Sequence, residues 1–227
     1  MTFPEQIVAI IVAAGSSTRM GADKIWAELA GAPVIAHSIA ALASTPGVTD
    51  IVVVAPAAKH EAIALLPCPV PIVTVEGGAR RQDSVAAGIR VAPDAAWYLV
   101  HDGARPLVTP AVAARVLDAA GASGAAIPVV PVVDTIKRVD EQGRVRDTLD
   151  RSELRAVQTP QVFRGDLLRR VHFELDGDVT DDAAMLEQLG IPVATVEGDR
   201  ENLKITTPSD LAVAQALFDL RSGSGGT

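Results

Sequence analysis

The segment from Ile7 to Lys24 constrains this chain more than any other. An apolar run suited to a buried strand, Ile7 to Ala13, gives way to Ala14 and Gly15; small polar residues follow, then Arg19, Gly21 and Lys24. A loop so poor in bulk lets backbone N–H groups come close to an oxyanion. Arg19 and Lys24 can face the same negative charge with their side chains. The segment reads as a strand leading into a phosphate-binding loop. A Walker loop separates its glycines by four residues and continues with lysine, whereas five residues lie between Gly15 and Gly21 and Ala22 follows. The dinucleotide fingerprint needs a glycine where Ser17 stands. Neither template fits.

The rest of the chain alternates. Strand-like runs fall at Ile7–Ala13, Ile51–Ala55, Pro71–Val75, Trp97–His101, Ala125–Val130 and Pro192–Val196. Helical patterns fall at Pro33–Ser44, Ala58–Leu66, Arg81–Val91, Pro110–Ala120, Leu167–Glu174, Thr180–Leu189 and Ser209–Leu220. With 48% hydrophobic residues but only 3% aromatic, aliphatic side chains must do the packing. This pattern predicts an α/β fold: a Rossmann-like, mostly parallel sheet with helices on both faces. In such sheets ligands bind beyond the carboxyl ends of the strands, where the Gly15 loop falls. No linker divides residues 1–221, which read as a single domain, and Ser222–Thr227 reads as a flexible tail.

One region breaks the rhythm. Between Val132 and Phe163, two alternating stretches flank the polar turn Asp140-Glu141-Gln142-Gly143, the pattern of a β-hairpin. A hairpin is marginal alone and needs cover. A projecting arm over about 132–163 that helps to form a homodimer is the expectation.

The net charge of -8 argues against nucleic acid as a general partner. An anionic ligand must be met by local clusters of cations. Cys68 is the single cysteine, which excludes an internal disulfide and a cysteine-based metal site. No apolar run reaches the roughly 20 residues of a membrane span, and the expectation is a cytoplasmic protein.

Three further clusters lie near predicted strand ends. Gly77-Gly78-Ala79-Arg80-Arg81-Gln82-Asp83-Ser84 opens a helix, and its polar residues either cap that helix or contact a ligand. In His101-Asp102-Gly103-Ala104-Arg105, Asp102 could hold Mg²⁺ against phosphate oxygens and Arg105 could fork a phosphate; a salt bridge bracing the turn is the alternative. His101 reads as a packed strand residue. The third cluster combines Arg151, Gln158-Thr159-Pro160-Gln161 and Lys204, whose place in an apolar stretch demands a partner or a ligand. No Ser–His–Asp, cysteine or zinc arrangement can be assembled.

With these motifs in order, from Ile7 to about Leu220, the chain resembles the 2-C-methyl-D-erythritol 4-phosphate cytidylyltransferases of the non-mevalonate isoprenoid pathway. The carrying motifs are Ala-Ala-Gly…Arg-Met-Gly…Lys, Gly-Gly…Arg-Gln-Asp-Ser-Val, Val-His-Asp-Gly-Ala-Arg-Pro, Asp-Thr-Ile-Lys, Asp-Arg…Gln-Thr-Pro-Gln-Val-Phe, Thr-Asp-Asp and Glu-Gly…Asn-Leu-Lys-Ile-Thr. The resemblance implies transfer of CMP from CTP to methylerythritol 4-phosphate with release of pyrophosphate, with Mg²⁺ as cofactor. It places Ala13, Ala14, Gly15 and Ser16 along CTP, and Gly78, Asp83, Ser84 and Gly103 around its cytidine part. It makes Arg19 and Lys24 the stabilisers of charge developing on the α-phosphate. Asp102, Arg105, Thr135, Arg151, Thr180 and Lys204 correspond to residues that position the acceptor or the reacting phosphates, Thr135 and Arg151 reaching from the arm into the partner's site. Relatives often carry Pro-Lys where this chain has Asp23-Lys24, so its loop carries an extra negative charge beside the key cation. The rival readings are a cytidylyltransferase for ribitol 5-phosphate or another polyol phosphate, an NAD-dependent oxidoreductase and a silent nucleotide-binding module.

Overall fold

In the computed structural model, residues 6–15, 23–175 and 181–223 are described. In chain order the elements are β1 (Ile7–Val12), β2 (Glu28–Leu29), β3 (Ala32–Pro33), α1 (Val34–Ala43), β4 (Val48–Val54), α2 (His60–Ala64), β5 (Ile72–Val75), α3 (Arg81–Val91), β6 (Trp97–Asp102), α4 (Pro110–Ser123), β7 (Ala125–Pro131), β8 (Lys137–Val139), β9 (Val145–Thr148), β10 (Arg155–Val157), β11 (Gln161–Arg164), α5 (Gly165–Glu174), α6 (Asp182–Gln188), β12 (Ala194–Glu197) and α7 (Pro208–Gly223).

The main sheet runs β10-β7-β11-β6-β1-β4-β5, with β12 on the far edge of β7. β1 pairs in parallel with β4 and β6, β4 with β5, and β7 with β12, whereas β11 runs antiparallel between β6 and β7 and β10 runs antiparallel along β7. β1 shows why both faces must be clad. Its Ile7, Ala9 and Ile11 point into one core with α1 and α4, and its Val8 and Ile10 point into the other with α3, α5 and α6. Successive strand residues alternate between faces, so a strand apolar at every position needs a helix layer on each side. A third cluster packs α7 on Leu29, Val34 and Leu107 beside the short β2–β3 ribbon.

Chain order decides where the site falls. From β1 the chain moves to β4 and β5 on one side, then returns to β6 on the other. The crevice beyond the carboxyl ends of β1 and β6 is therefore a topological switch point, the place where open α/β sheets bind ligands.

The arm is shorter than the sequence suggests. Among the described residues, β8 and β9 alone form the exposed hairpin, closed by Gly143 at φ 75° and by Asp140, whose Oδ1 accepts from the N–H groups of Gln142 and Arg144. Residues 155–164 return to the main sheet, because Val162 and Phe163 are fully buried between β6 and β7. The C-terminal helix also extends to Gly223, past the expected start of the tail.

Candidate active site

The loop after β1 begins when the Ala13 N–H donates to the Val54 carbonyl at 2.8 Å. Ala13, Ala14 and Gly15 then line a cavity of about 210 Å³ together with Lys24, Gly78, Arg80, Arg81, Ser84, Asp102 and Lys204. Ser16 and Arg19 lie outside the described residues. The opposite wall is the entry to α3. A Cβ on Gly77 would sit 2.3 Å from the Ala14 Cβ, and one on Gly78 would sit 2.3 Å from the Asp83 Cβ. Glycine is required at both positions by close approach.

Ser84 and Asp83, adjacent in sequence, are separated here. The buried Ser84 hydroxyl accepts from the Gly78 N–H at 3.2 Å and so shapes the cavity rim. The Asp83 carboxylate instead caps α3: it accepts the Arg80 N–H at 3.1 Å and the Arg80 guanidinium at 2.7 Å, away from the cavity. Gly103 lies beneath the floor, its N–H bonded to the Val12 carbonyl and its own carbonyl accepting from the Ser38 hydroxyl.

Asp102, the last residue of β6, anchors the charge. Lys204 Nζ lies 2.7 Å from its Oδ2, Arg81 Nε 3.5 Å from its Oδ1 and Arg105 Nε 3.8 Å from Oδ2. Burial works to raise the pKa of this carboxyl, but Lys204, Arg81 and Arg105 outweigh it and hold it well below the usual carboxylate range. His101 beside it is buried between the Thr159 hydroxyl at 3.0 Å and the Arg105 carbonyl at 3.3 Å. Burial lowers its pKa to about 4, leaving a neutral imidazole. The Arg105 carbonyl can only accept, so Nε2 carries the proton of the neutral ring and Nδ1 accepts from the Thr159 hydroxyl, whose oxygen in turn accepts the Asp102 N–H at 3.1 Å. His101 is a structural residue that fixes the Asp102 backbone.

A second cavity of about 310 Å³ adjoins the first and shares Arg81, Asp102 and Lys204 with it. Arg105, Gln158, Thr159, Gln161 and Asp181 complete its lining, with Val157 at the edge. The Arg105 guanidinium donates to the Asn202 carbonyl at 2.7 Å, which ties the β6 loop to the segment carrying Lys204. In the sequence, Arg81, Thr159 and Gln161 stand within motifs but carry no role in the site. Arg81 is legible there only as a charge opening a helix; nothing in its sequence neighbourhood announces its two carboxylate partners.

Arg151 and Thr135 stand apart from both cavities. Arg151 is exposed at the base of the arm, bonded to the Val133 carbonyl at 2.6 Å, and Thr135 is exposed on the arm itself. Thr180 lies outside the described residues.

Within one chain, then, a small-residue loop, a helix entry and a ring of cations surround two adjoining cavities at the switch point. A model of the 2-C-methyl-D-erythritol 4-phosphate cytidylyltransferase family matches residues 7–220. The chain belongs to this family. It is accordingly a cytidylyltransferase that transfers CMP from CTP to methylerythritol 4-phosphate in non-mevalonate isoprenoid synthesis, and the ribitol 5-phosphate reading is not favoured. Proteins of that name from Nocardia farcinica (strain IFM 10152) and Dehalococcoides mccartyi (strain CBDB1) are 46% and 43% identical, over 95% and 96% of this chain and 95% and 98% of theirs. The crystal structure of the enzyme of that name from Thermus thermophilus superposes with a TM-score of 0.75 at 36% identity, covering 92% of this chain and 98% of that one. A 4-diphosphocytidyl-2C-methyl-D-erythritol synthase from Anaerococcus prevotii DSM 20548 gives a TM-score of 0.84 at 27% identity, covering 95% and 99%.

Proposed function

We propose that CTP occupies the cavity lined by Ala13, Gly15, Lys24 and Ser84, and that methylerythritol 4-phosphate occupies the adjoining one. The observation that carries this arrangement is the shared wall: Lys204, Asp102 and Arg81 face both spaces. An oxygen of the acceptor phosphate attacks the α-phosphorus of CTP, a new P–O bond forms, and the bond to the bridging oxygen breaks to release pyrophosphate. The nucleophile is already anionic, so no general base is needed. The obstacle is electrostatic, since an anion approaches a polyanion while charge builds on the α-phosphate oxygens. Preorganised cations answer it, and such terms are usually the largest in catalysis. Lys24 and Arg19 take the α-phosphate side; Lys204 and Arg105 hold the incoming phosphate.

Mg²⁺ is proposed as a companion of the triphosphate. Asp102 is the one carboxylate lining the nucleotide cavity among the described residues, and its oxygens already face three cations. No group of three potential ligands gathers elsewhere among the described residues. Among the described residues no set of side chains fits a resident metal site, and the expectation that Asp102 ligates Mg²⁺ does not suit surroundings in which its oxygens face Lys204, Arg81 and Arg105. Titration calorimetry should show Mg²⁺ bound only in the presence of CTP.

The functional unit is proposed to be a homodimer. Val139 and Val145 are exposed on the hairpin, and Arg151 and Thr135 lie beside it, apart from their own cavities. A partner's site is where they would act. We place the enzyme in the cytoplasm, where both soluble, charged substrates would be met; no helix among the described residues is long and apolar enough to cross a membrane. The decisive assay is pyrophosphate release with CTP, other nucleoside triphosphates and a panel of polyol phosphates. Rapid release with CTP and methylerythritol 4-phosphate alone is the expected result; equal rates with ribitol 5-phosphate would overturn the acceptor assignment.

A further inference from the structure

We infer that Arg81, locked by Asp182 and His172, is a positioning residue that fixes the Asp102 carboxylate and, through it, the Lys204 ammonium on the wall between the two cavities. Arg81 opens α3 and spans two carboxylates with one guanidinium. Its Nε lies 3.5 Å from Asp102 Oδ1, and its Nη1 donates to Asp182 Oδ2 at 2.6 Å. The other oxygen of Asp182 lies 2.9 Å from His172 Nε2, and both of those side chains are only 1% exposed. The chain of contacts therefore runs from α5 through α6 and α3 to the end of β6.

A buried carboxylate is tolerated only when it is paired, and removing one partner is costly. Asp182 has a partner on each oxygen, which leaves the Arg81 fork little freedom. Asp102 is divided in the same way: Arg81 takes Oδ1, and Oδ2 is left to Lys204 at 2.7 Å. If Oδ1 loses its partner, the carboxylate is free to turn towards Lys204 and Arg105. The Lys204 side chain, 41% exposed and tied down far less than Arg81, follows it away from the phosphates. A lysine at position 81 keeps the charge but presents one nitrogen, which cannot span both carboxylates. Arg81 thus acts through geometry as well as charge.

The inference rests on the CMP-transfer reading, and wild-type turnover in the same assay tests that reading separately. Arg81→Lys and Asp182→Asn should each lower kcat about tenfold, with KM for CTP little changed, the order of effect found for coupled neighbours. His172→Gln, which keeps a donor, should restore most of the rate that His172→Leu loses. The discriminating step is a double-mutant cycle. On a Lys204→Gln background, Arg81→Lys should cost less than about twofold, because the residue it positions is already gone. Thermal melts separate misfolding from lost turnover, and if Asp182→Asn does not fold, Arg81→Lys decides. Independently of turnover, the side-chain NMR signal of Lys204 should shift in Arg81→Lys. The same fold-loss in both backgrounds, an unmoved Lys204 signal, or a lower melting temperature with kcat intact would overturn the inference and leave Arg81 as a brace of the core.

Discussion

The ammonium of Lys204 lies 2.7 Å from Oδ2 of Asp102, which joins the segment before α7 to the carboxyl end of β6 across both cavities. In the proposed arrangement the pair would place a cation where the acceptor phosphate approaches the α-phosphate. Lys204→Gln keeps most of the length of the side chain and removes its charge. Removing one well-placed electrostatic donor costs about 3–4 kcal/mol in the barrier, so kcat should fall roughly a hundred- to a thousandfold in steady-state pyrophosphate release. A loss confined to KM for the acceptor would show that Lys204 binds substrate without stabilising the transition state.

Lys24 lines the nucleotide cavity together with Lys204. Lys24→Ala should lower kcat by a similar hundred- to thousandfold, with folding little changed, since the side chain is half-buried at a cavity edge. Near-normal turnover in the purified variant would count heavily against the assignment of this loop.

The extra charge at Asp23 is answered locally. Its Oδ1 accepts the Ile25 N–H at 3.3 Å and its Oδ2 lies 3.3 Å from Lys59 Nζ, which also sits 4.8 Å from the centre of the Trp26 ring. Exposed pairs of this kind contribute under about 1 kcal/mol. Lys59→Met should therefore raise KM for CTP by no more than about fivefold, through the unscreened Asp23 charge beside Lys24. The effect should shrink as salt rises from about 50 to about 300 mM; an effect that grows with salt would exclude the mechanism.

His101 gives the fold an acid sensitivity. Its folded pKa of about 4 lies below the 6.5 of an unstructured histidine, so between those values the unfolded chain binds a proton that the folded protein refuses. Stability is fully present above about pH 6.5 and falls as pH drops from there to about 4, by a total on the order of 3 kcal/mol. Asp102 and Asp182, held below the usual carboxylate range, add their losses only below about pH 4. Urea midpoints measured from about pH 7 to 4.5 should fall in the wild type and flatten in His101→Gln.

Gly88 tests the packing of α3 on β1. Alanine is normally better than glycine inside a helix by about 1 kcal/mol. Here its Cβ would meet Ile10 Cγ2 at 2.7 Å, in the fully buried centre of the sheet. Overpacking costs about 1–3 kcal/mol, so the clash should win and Gly88→Ala should melt several degrees lower. Adding Ile10→Val should recover part of the loss. A Gly88→Ala protein that melts higher would show that the helix moves freely on the strand.

Periodicity and local chemistry determine much of this protein without reference to any tertiary contact. The strand of Ile7–Val12, apolar at every position, demanded helices on both faces, and α3 begins at Arg81 and ends at Val91 as its pattern requires. Lys204, charged within an apolar stretch, announced its need for a partner because a charge does not enter such surroundings alone. What only the tertiary structure decided are relationships between distant segments. Asp83 and Ser84 are neighbours in sequence, yet successive helix positions face different directions, so one caps α3 and the other lines the cavity. Val162 and Phe163 read as part of an arm and are instead a buried strand, since an isolated alternating stretch carries no information about which sheet completes it. The double grip of Arg81 on Asp102 and Asp182 spans 101 positions of chain. Local pattern fixes which residues can be buried or charged, but which charges meet is set by how the strands cross over, and that is a property of the whole fold.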